Sequence, residues 1–344
     1  MAEKPVTIRD VARAAGVSPG TVSRAINDSP LVNPETRERI MQVVEELDYR
    51  PHLGARRLST GRTLTIKVFV PFFTRPSVSE RLRGAVQALA ETQYDLVIHN
   101  VATPAQRERC FEALPLRGEA DGALVISLMP TEEEAEKLAT AEIPYVFIDV
   151  NHPDLDRFSQ IYVDDVAGGR QATAHLLALG HRRIGFIGDR IDNPFNFTSS
   201  RDRYWGYLEA LEEAGVPARD AYYAEDEHGR VEAQRQARQM LEQPEPPTAI
   251  FAASDTQAVG VLQAAESLGL AVPGDLSVIG YDDIELAEMM ALTTVRQLLF
   301  ESGNRGVNLL LAALDGAQDE PERIALPTTI VRRATTAPPL STSA

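Results

Sequence analysis

From Leu64 onward, short uninterrupted apolar runs alternate with amphipathic helical segments: LTIKVFVPFF, the stretch Val78–Ala90, YDLVIHNV, GALVISLM and PYVFIDV. After QIYVDD the same rhythm resumes with RRIGFIGD, TAIFAAS and DLSVIGYDD. Strands apolar on both faces must be covered on both faces, and joining parallel neighbours takes a crossover long enough to hold a helix. The alternation therefore specifies a parallel α/β fold repeated in two halves. Ligands of such sheets bind beyond the carboxyl ends of the strands. Those ends carry Pro71, Phe72 and Phe73, then Asp149, Gly188 and Asp189, Ser254 and Asp255, and Asp282 and Asp283.

No catalytic constellation stands among them. There is no glycine-rich phosphate loop, no pair of histidines at metal-ligand spacing, and no nucleophile elbow with a Ser/His/Asp order. The single cysteine, Cys110, excludes an intramolecular disulfide framework and any multi-cysteine zinc site. Carboxylates at strand mouths suit holding a polar ligand better than breaking bonds, and Asp255 reads as a helix N-cap. The chain is thus expected to be no enzyme and to need no metal or cofactor. No apolar run approaches the roughly 20 residues that span a bilayer. The N-terminal MAEKPVTIRD has no apolar core of a secretory signal, so a cytoplasmic protein is expected.

The first sixty residues differ in kind. The whole chain of 344 residues, long enough for two or three domains, carries a net charge of −16. Residues 1–63 hold ten basic and eight acidic side chains, however, and Arg50–Arg62 holds four arginines and no acid. That local field can meet phosphate while the acidic bulk keeps the protein soluble. Three short helices are legible here. Thr7 caps IRDVARAA, whose Ile8, Val11, Ala12 and Ala15 share a face, and Gly16 ends it. Ser18 caps the next helix with Pro19 at its first position, where the missing N–H costs nothing. Val22, Ala25 and Ile26 then face inward, and Pro19, Gly20, Ser23, Arg24 and Asn27 face outward. Asn33 and Pro34 start a third helix with Ile40, Val43, Val44 and Leu47 inward. Two short helices joined by a tight turn and braced by a third make a helix-turn-helix unit.

The run TIRDVARAAGVSPGTVSRAINDSPLVNPETRERIMQVVEELDYRP resembles the DNA-binding headpiece of the LacI/GalR family of bacterial transcription regulators. The shared elements are D-V-A-x-x-A-G-V-S-x-x-T-V-S-R, the Asn after it and V-x-P-E-T-R-x-x-I. The resemblance implies that Pro19, Gly20 and Arg24 face the major groove of a double-stranded, pseudo-palindromic operator. Arg24 can donate two hydrogen bonds to one guanine. Thr7, Ser18, Thr21, Ser23, Asn27, Asn33 and Thr36 would grip phosphates. The linker YRPHLGARRLSTGRT resembles the family's hinge, with Ala55 and Arg56 before Leu58, the minor-groove wedge.

The likeness continues through VFIDV, ALGHRRIGFIG, RYWGYLEAL, SDTQAVGVLQAAESLGLAVPGDLSVIGYDD and LTTVRQ, which resemble the family's effector-binding domain, itself similar to periplasmic sugar-binding proteins. It implies a headpiece over 1–50, a hinge over 51–63, an effector-binding and dimerisation domain over 64–335, and a flexible tail over 336–344. Within the large domain the chain would cross three times between two parallel-sheet subdomains, 64–162 with 298–322 and 163–297 with 323–335. The effector would lie between them, held by Asp149, Arg203 and Asp282, with Phe73 and Phe197 as apolar walls. Ser254 stands where the family commonly has Asn, His228 where an aromatic stacks on the ligand, and Leu299 where another aromatic is usual. Trp205 is expected in the core or at an interface. The C-terminal RRATTAPPLSTSA lacks leucine heptads, so a homodimer is expected. The implied function is a repressor controlled by a sugar or sugar derivative. A nucleobase or nucleoside effector is the alternative, and a solute-binding receptor a remoter one that the headpiece argues against.

Overall fold

The computed structural model describes residues 6–26, 29–49, 62–114, 118–317 and 320–340. The chain divides into two compact units, Met1–Leu64 and Thr65–Ala344.

In the first unit, α1 (Ile8–Ala15), α2 (Pro19–Ile26) and α3 (Pro34–Glu46) start where local chemistry stops the chain from continuing otherwise. The Thr7 N–H and hydroxyl both donate to the Asp10 carboxylate, at 3.0 and 2.6 Å. Gly16 closes α1 at φ 66°, a left-handed conformation that only glycine adopts without steric cost. Ser18 Oγ accepts from the Thr21 amide at 3.1 Å, and Asn33 Oδ1 from the Thr36 amide at 2.7 Å. Each such cap is worth about 1 kcal/mol. Val11, Ala12, Ala15, Val22, Ala25 and Ile40 form the core, completed by Val32 and Tyr49 from outside the helices.

The second unit holds two six-stranded sheets. The first contains β1 (Thr65–Pro71), β2 (Asp95–Val101), β3 (Gly122–Ile126), β4 (Tyr145–Ile148) and β5 (Ser159–Val163). The second contains β6 (Ile184–Asp189), β7 (Tyr223–Asp226), β8 (Ala249–Ala252), β9 (Ser277–Asp282) and β10 (Thr293–Gln297). Two late strands, β11 (Arg323–Leu326) and β12 (Thr328–Val331), complete one sheet each. The orders are β11-β5-β4-β3-β1-β2 and β12-β10-β9-β8-β6-β7. All pairings are parallel except β12, which runs antiparallel on the edge beside β10. Central strands such as β3, β4, β8 and β9 are buried along their whole length, as their apolar composition requires.

Two of the expected boundaries are corrected by this topology. The sequence places residues 323–335 together in the second half, yet β11 pairs with β5, where Leu326 is buried against Ile161 and Val163. The third crossing therefore falls at Pro327. The tail over 336–344 is expected to be flexible, yet Thr336 Oγ1 lies 3.0 Å from His175 Nε2. The Ala337 carbonyl accepts from Ser277 Oγ at 3.0 Å, so the chain stays attached to the second sheet at least that far.

Two close helix crossings each bring one buried arginine, Arg81 or Arg203, to the ends of the sheets. Helix Pro76–Leu89 meets helix Leu299–Leu314 so tightly that a Cβ on Gly84 would strike the Phe300 carbonyl, and one on Gly303 the Arg81 carbonyl. Helix Asp165–Ala178 meets helix Ser199–Glu213 in the same way, through Gly169 against Arg203 and Gly206 against Val166.

Candidate functional site

In the helical unit, Pro19, Gly20 and Arg24 are exposed together, and the Arg24 guanidinium lies 3.8 Å from where a Gly20 Cβ would stand. An apolar ring, bare backbone and a guanidinium fork that reaches back from the last turn thus lie together on the exposed side of α2. Thr7, Ser18 and Asn33 are exposed beside their capping roles, and Thr21, Ser23 and Thr36 are half-buried. Asn27, Ala55, Arg56 and Leu58 lie outside the described residues.

In the α/β unit a cavity with about 120 Å³ of free space opens where both sheets' strands end. Pro71 closes β1, Asp149 follows β4, Asp189 and Asp282 end β6 and β9, and Gln297 ends β10; all line it. Four lining residues sit at positive φ without being glycine: Ser127 at φ 53°, Asp149 at 63°, Asn196 at 61° and Asp282 at 117°. Asp tolerates that region better than most residues, but the conformation still costs energy that the surroundings must offset.

The cavity walls are organised around two arginine–carboxylate systems. On the first sheet's side, Arg81 Nη2 donates to Asp149 Oδ1 at 2.5 Å and to Gln297 Oε1 at 3.1 Å. Ser127 Oγ donates to the other Asp149 oxygen at 2.6 Å. On the second sheet's side, Arg203 Nε donates to Asp165 Oδ1 at 2.8 Å and Nη1 to the Ala253 carbonyl at 2.7 Å. Its guanidinium carbon lies 3.7 Å from the Tyr281 ring centroid and Nη1 lies 3.9 Å from Asp282 Oδ1. Gln297 Nε2 donates to Asp282 Oδ1 at 2.5 Å, so one glutamine touches both systems. A third cluster joins Asp189 to His228 Nδ1 at 3.0 Å and to Gln257 Nε2 at 2.9 Å.

Burial alone would lower the Arg203 guanidinium, but Asp165 and Asp282 outweigh it and push it up. Burial pushes the Asp282 and Asp165 carboxyls up, with Arg203 opposing in both cases. For Asp189 burial also pulls upward, and His228 with Arg75 and Arg203 reverses the balance and holds it below its usual range. The side of Asp282 away from Gln297 and the Arg203 Nη2 edge carry no hydrogen bond among the described residues. They supply an acceptor and a donor beside each other, the combination that clasps a hydroxyl.

Of the seven residues expected at the effector, Asp149, Phe197, Arg203, His228, Ser254 and Asp282 line the cavity. Phe73 does not. β1 stops at Pro71, the chain turns through Phe72 at φ 45°, and Phe73 is left 44% exposed with its amide on Asn100 Oδ1. Ser254 lines the wall but is also the cap of the helix Asp255–Ser267, accepting from the Gln257 amide at 3.2 Å. Asp255 is accordingly no cap: buried, it accepts from Thr294 Oγ1 at 2.6 Å and the Ile284 amide at 3.0 Å. Trp205 is not core, being 47% exposed beneath the Arg201 guanidinium. Leu299 is buried. Sequence reasoning missed Arg75, Arg81, Ser127, Gln257 and Gln297 as lining residues. Gln297 stood within the LTTVRQ motif; Arg81 carried no signal, because an arginine on an amphipathic helix reads as solvent-facing.

Among the described residues no group of histidine, cysteine and carboxylate side chains is arranged to hold a metal, and no helix is long and apolar enough to cross a membrane. Residues 7–52 match the model of bacterial regulatory proteins of the lacI family, and residues 173–336 that of a periplasmic binding protein-like domain. The catabolite control protein A of Priestia megaterium is 32% identical over 96% of this chain and 99% of its own. The HTH-type transcriptional repressor PurR of Vibrio atlanticus is 34% identical over 96% and 98%. The lac repressor dimer bound to operator and the anti-inducer ONPF superposes with a TM-score of 0.85, at 28% identity over 97% of this chain and all of that one.

Proposed function

The chain belongs to the lacI family of bacterial regulatory proteins, and from that premise we propose that it is a cytoplasmic, dimeric repressor whose hold on operator DNA is set by a sugar or sugar derivative bound around Asp149, Arg203 and Asp282. The observation that carries the reading is the convergence of those three side chains, from the ends of both sheets, on one cavity. Carboxylates and an arginine edge bind vicinal hydroxyls in pairs. Among the described residues Phe197 is the one Phe, Tyr or Trp lining the cavity, so its walls offer hydroxyl partners in number but little surface for stacking a nucleobase. A nucleobase or nucleoside stays the second reading, favoured by the His228 ring beside Asp189.

The mechanism follows from the three crossings. A ligand that touches both subdomains binds better at one angle between them than at another, and so shifts the population toward that angle. In a dimer the shift alters whether two headpieces fit adjacent half-sites. On the DNA side, Arg24→Ala is expected to cost about 1–3 kcal/mol on the selected operator and relax preference at one base pair per half-site. Titration against specific and random duplexes checks this; equal losses on both make Arg24 a phosphate contact only.

The effector reading is tested by measuring affinity for an operator selected from random DNA while sugars, sugar acids and nucleosides are added singly. A sugar or sugar derivative is expected to change that affinity. Asp282→Asn keeps the side-chain shape and the Gln297 contact partner but removes the charge. It is expected to weaken the response by about tenfold or more while leaving ligand-free operator affinity intact. A response to nucleosides alone moves the assignment to the second reading, and an unchanged response in Asp282→Asn removes Asp282 from the site.

A further inference from the structure

Four arginines line the cavity, and three of them have a carboxylate at hand. Arg81 has Asp149 at 2.5 Å, Arg203 has Asp165 at 2.8 Å, and Arg201 has Asp202 at 3.0 Å. Arg75 has none: among the described residues its side chain makes no hydrogen bond and no ion pair, and its guanidinium lies over rings. Its guanidinium lies 4.3 Å from the Phe72 ring centroid and 5.9 Å from that of Phe197. A guanidinium laid on aromatic faces is held by its plane, which leaves its edge N–H groups free to donate.

Its position is built rather than incidental. Arg75 is the residue before helix Pro76–Leu89, with φ −64° and ψ 137°, the extended conformation that the following proline enforces. Its amide donates to the Phe72 carbonyl at 2.8 Å and its carbonyl accepts from the Ser79 amide at 2.9 Å, so the backbone beneath the side chain is fixed at both ends. Burial pulls the guanidinium below its usual value, and the carboxylates that act against this, Asp189 and Glu227, do so without touching it. Asp189 is already engaged by His228 and Gln257. A desolvated cation without a contact partner costs energy, and an anion placed against it recovers that energy.

Resting on the reading of this cavity as the effector site, we infer that the effector is a polyhydroxylated molecule of one-ring size carrying a single anionic group, carboxylate or phosphate, bound by Arg75. The hydroxyls go to Asp282 and Arg203 on the opposite wall, and the anion marks the end of the molecule against Phe72 and Phe197. The cavity volume of about 120 Å³ agrees with one ring; an engineered cavity of about 150 Å³ takes up benzene.

The test uses the full chain and inorganic phosphate as probe. Melting temperature is followed against phosphate concentration, at fixed pH and at ionic strength held with sodium chloride, for wild type, Arg75→Gln and Arg75→Lys. Phosphate stabilises any protein by exclusion, without saturation, and to the same extent in all three. The expected result is an additional, saturable rise in wild type, weakened about tenfold or more in Arg75→Gln and retained in part by Arg75→Lys, which keeps the charge without the fork. Superimposable wild-type and Arg75→Gln curves overturn the inference. Glucuronate and glucose 6-phosphate against glucose then separate carboxylate from phosphate, and glucose binding as tightly as both also overturns it. Failure of the cavity reading looks different: phosphate still binds through Arg75, but no small molecule alters operator affinity. Conversely, a neutral effector whose action Asp282→Asn abolishes and Arg75→Gln spares keeps the cavity reading and removes the anion.

Discussion

Arg203→Ala is expected to destabilise the α/β unit by about 3–5 kcal/mol and to abolish the effector response at the same time. Both consequences come from one geometry. Arg203 is 6% exposed, and it satisfies Asp165 at 2.8 Å and the Ala253 carbonyl at 2.7 Å. Truncation leaves the Asp165 carboxylate buried beside Asp149 without its cation, and that uncompensated charge dominates the cost. Had Arg203 been a free-standing ligand-binding group, its loss would have spared stability and produced a regulator fixed in ligand-free behaviour. Chemical denaturation separates these cases, since a midpoint within error of wild type contradicts the buried-pair account. The double variant Arg203→Met with Asp165→Leu removes both charges. It is expected to recover much of the lost stability without recovering effector response, because an apolar pair can replace a buried ion pair but cannot donate to a hydroxyl.

Gly303→Val is expected to cost at least about 3 kcal/mol, the upper end of ordinary overpacking. The atom that a Cβ would strike is the Arg81 backbone carbonyl, and no rotamer change moves a carbonyl aside. Helices Pro76–Leu89 and Leu299–Leu314 must separate, and the start of that separation is at Arg81 itself. The side chain then leaves Asp149 and Gln297, so a surviving fraction of folded protein is expected to respond weakly to effector. Gly316→Ala serves as the control. It lies past the end of the same helix at φ 67° with no atom near its would-be Cβ, so its cost is limited to backbone strain of about 1–2 kcal/mol. Equal midpoints for the two variants would falsify the steric argument.

The helical unit was legible almost residue by residue, because every signal that starts or stops its helices acts over two to four positions. Thr7, Gly16, Ser18, Asn33 and Pro34 all do so through the neighbouring turn. The α/β repeat in two halves was legible for a related reason: strand burial on both faces leaves its mark within each strand. Asp149, Asp282 and Arg203 could be placed at strand ends or in a motif before any contact was known. Phe73 could not: the chain turns at Phe72, φ 45°, and Phe73 is left exposed outside the cavity lining. Nor could β11, whose four residues read equally well as the edge of either sheet until Leu326 found Ile161 and Val163.

What the sequence alone determined is therefore everything set by chain neighbours: the caps, the periodicities, the alternation of strand and helix, and the identity of the residues at strand ends. The pairing of charges was decided by tertiary structure. Arg81 meets Asp149 across 68 positions and Gln297 across 216, and neither distance can be anticipated from the helix that carries Arg81. The same stacking of sheets and helices that gave Arg81 and Arg203 a carboxylate left Arg75 with two aromatic faces and none. Coulomb energy depends on separation in space, and separation in space is fixed only when the glycine-lined helix crossings and the three passages between sheets are all in place.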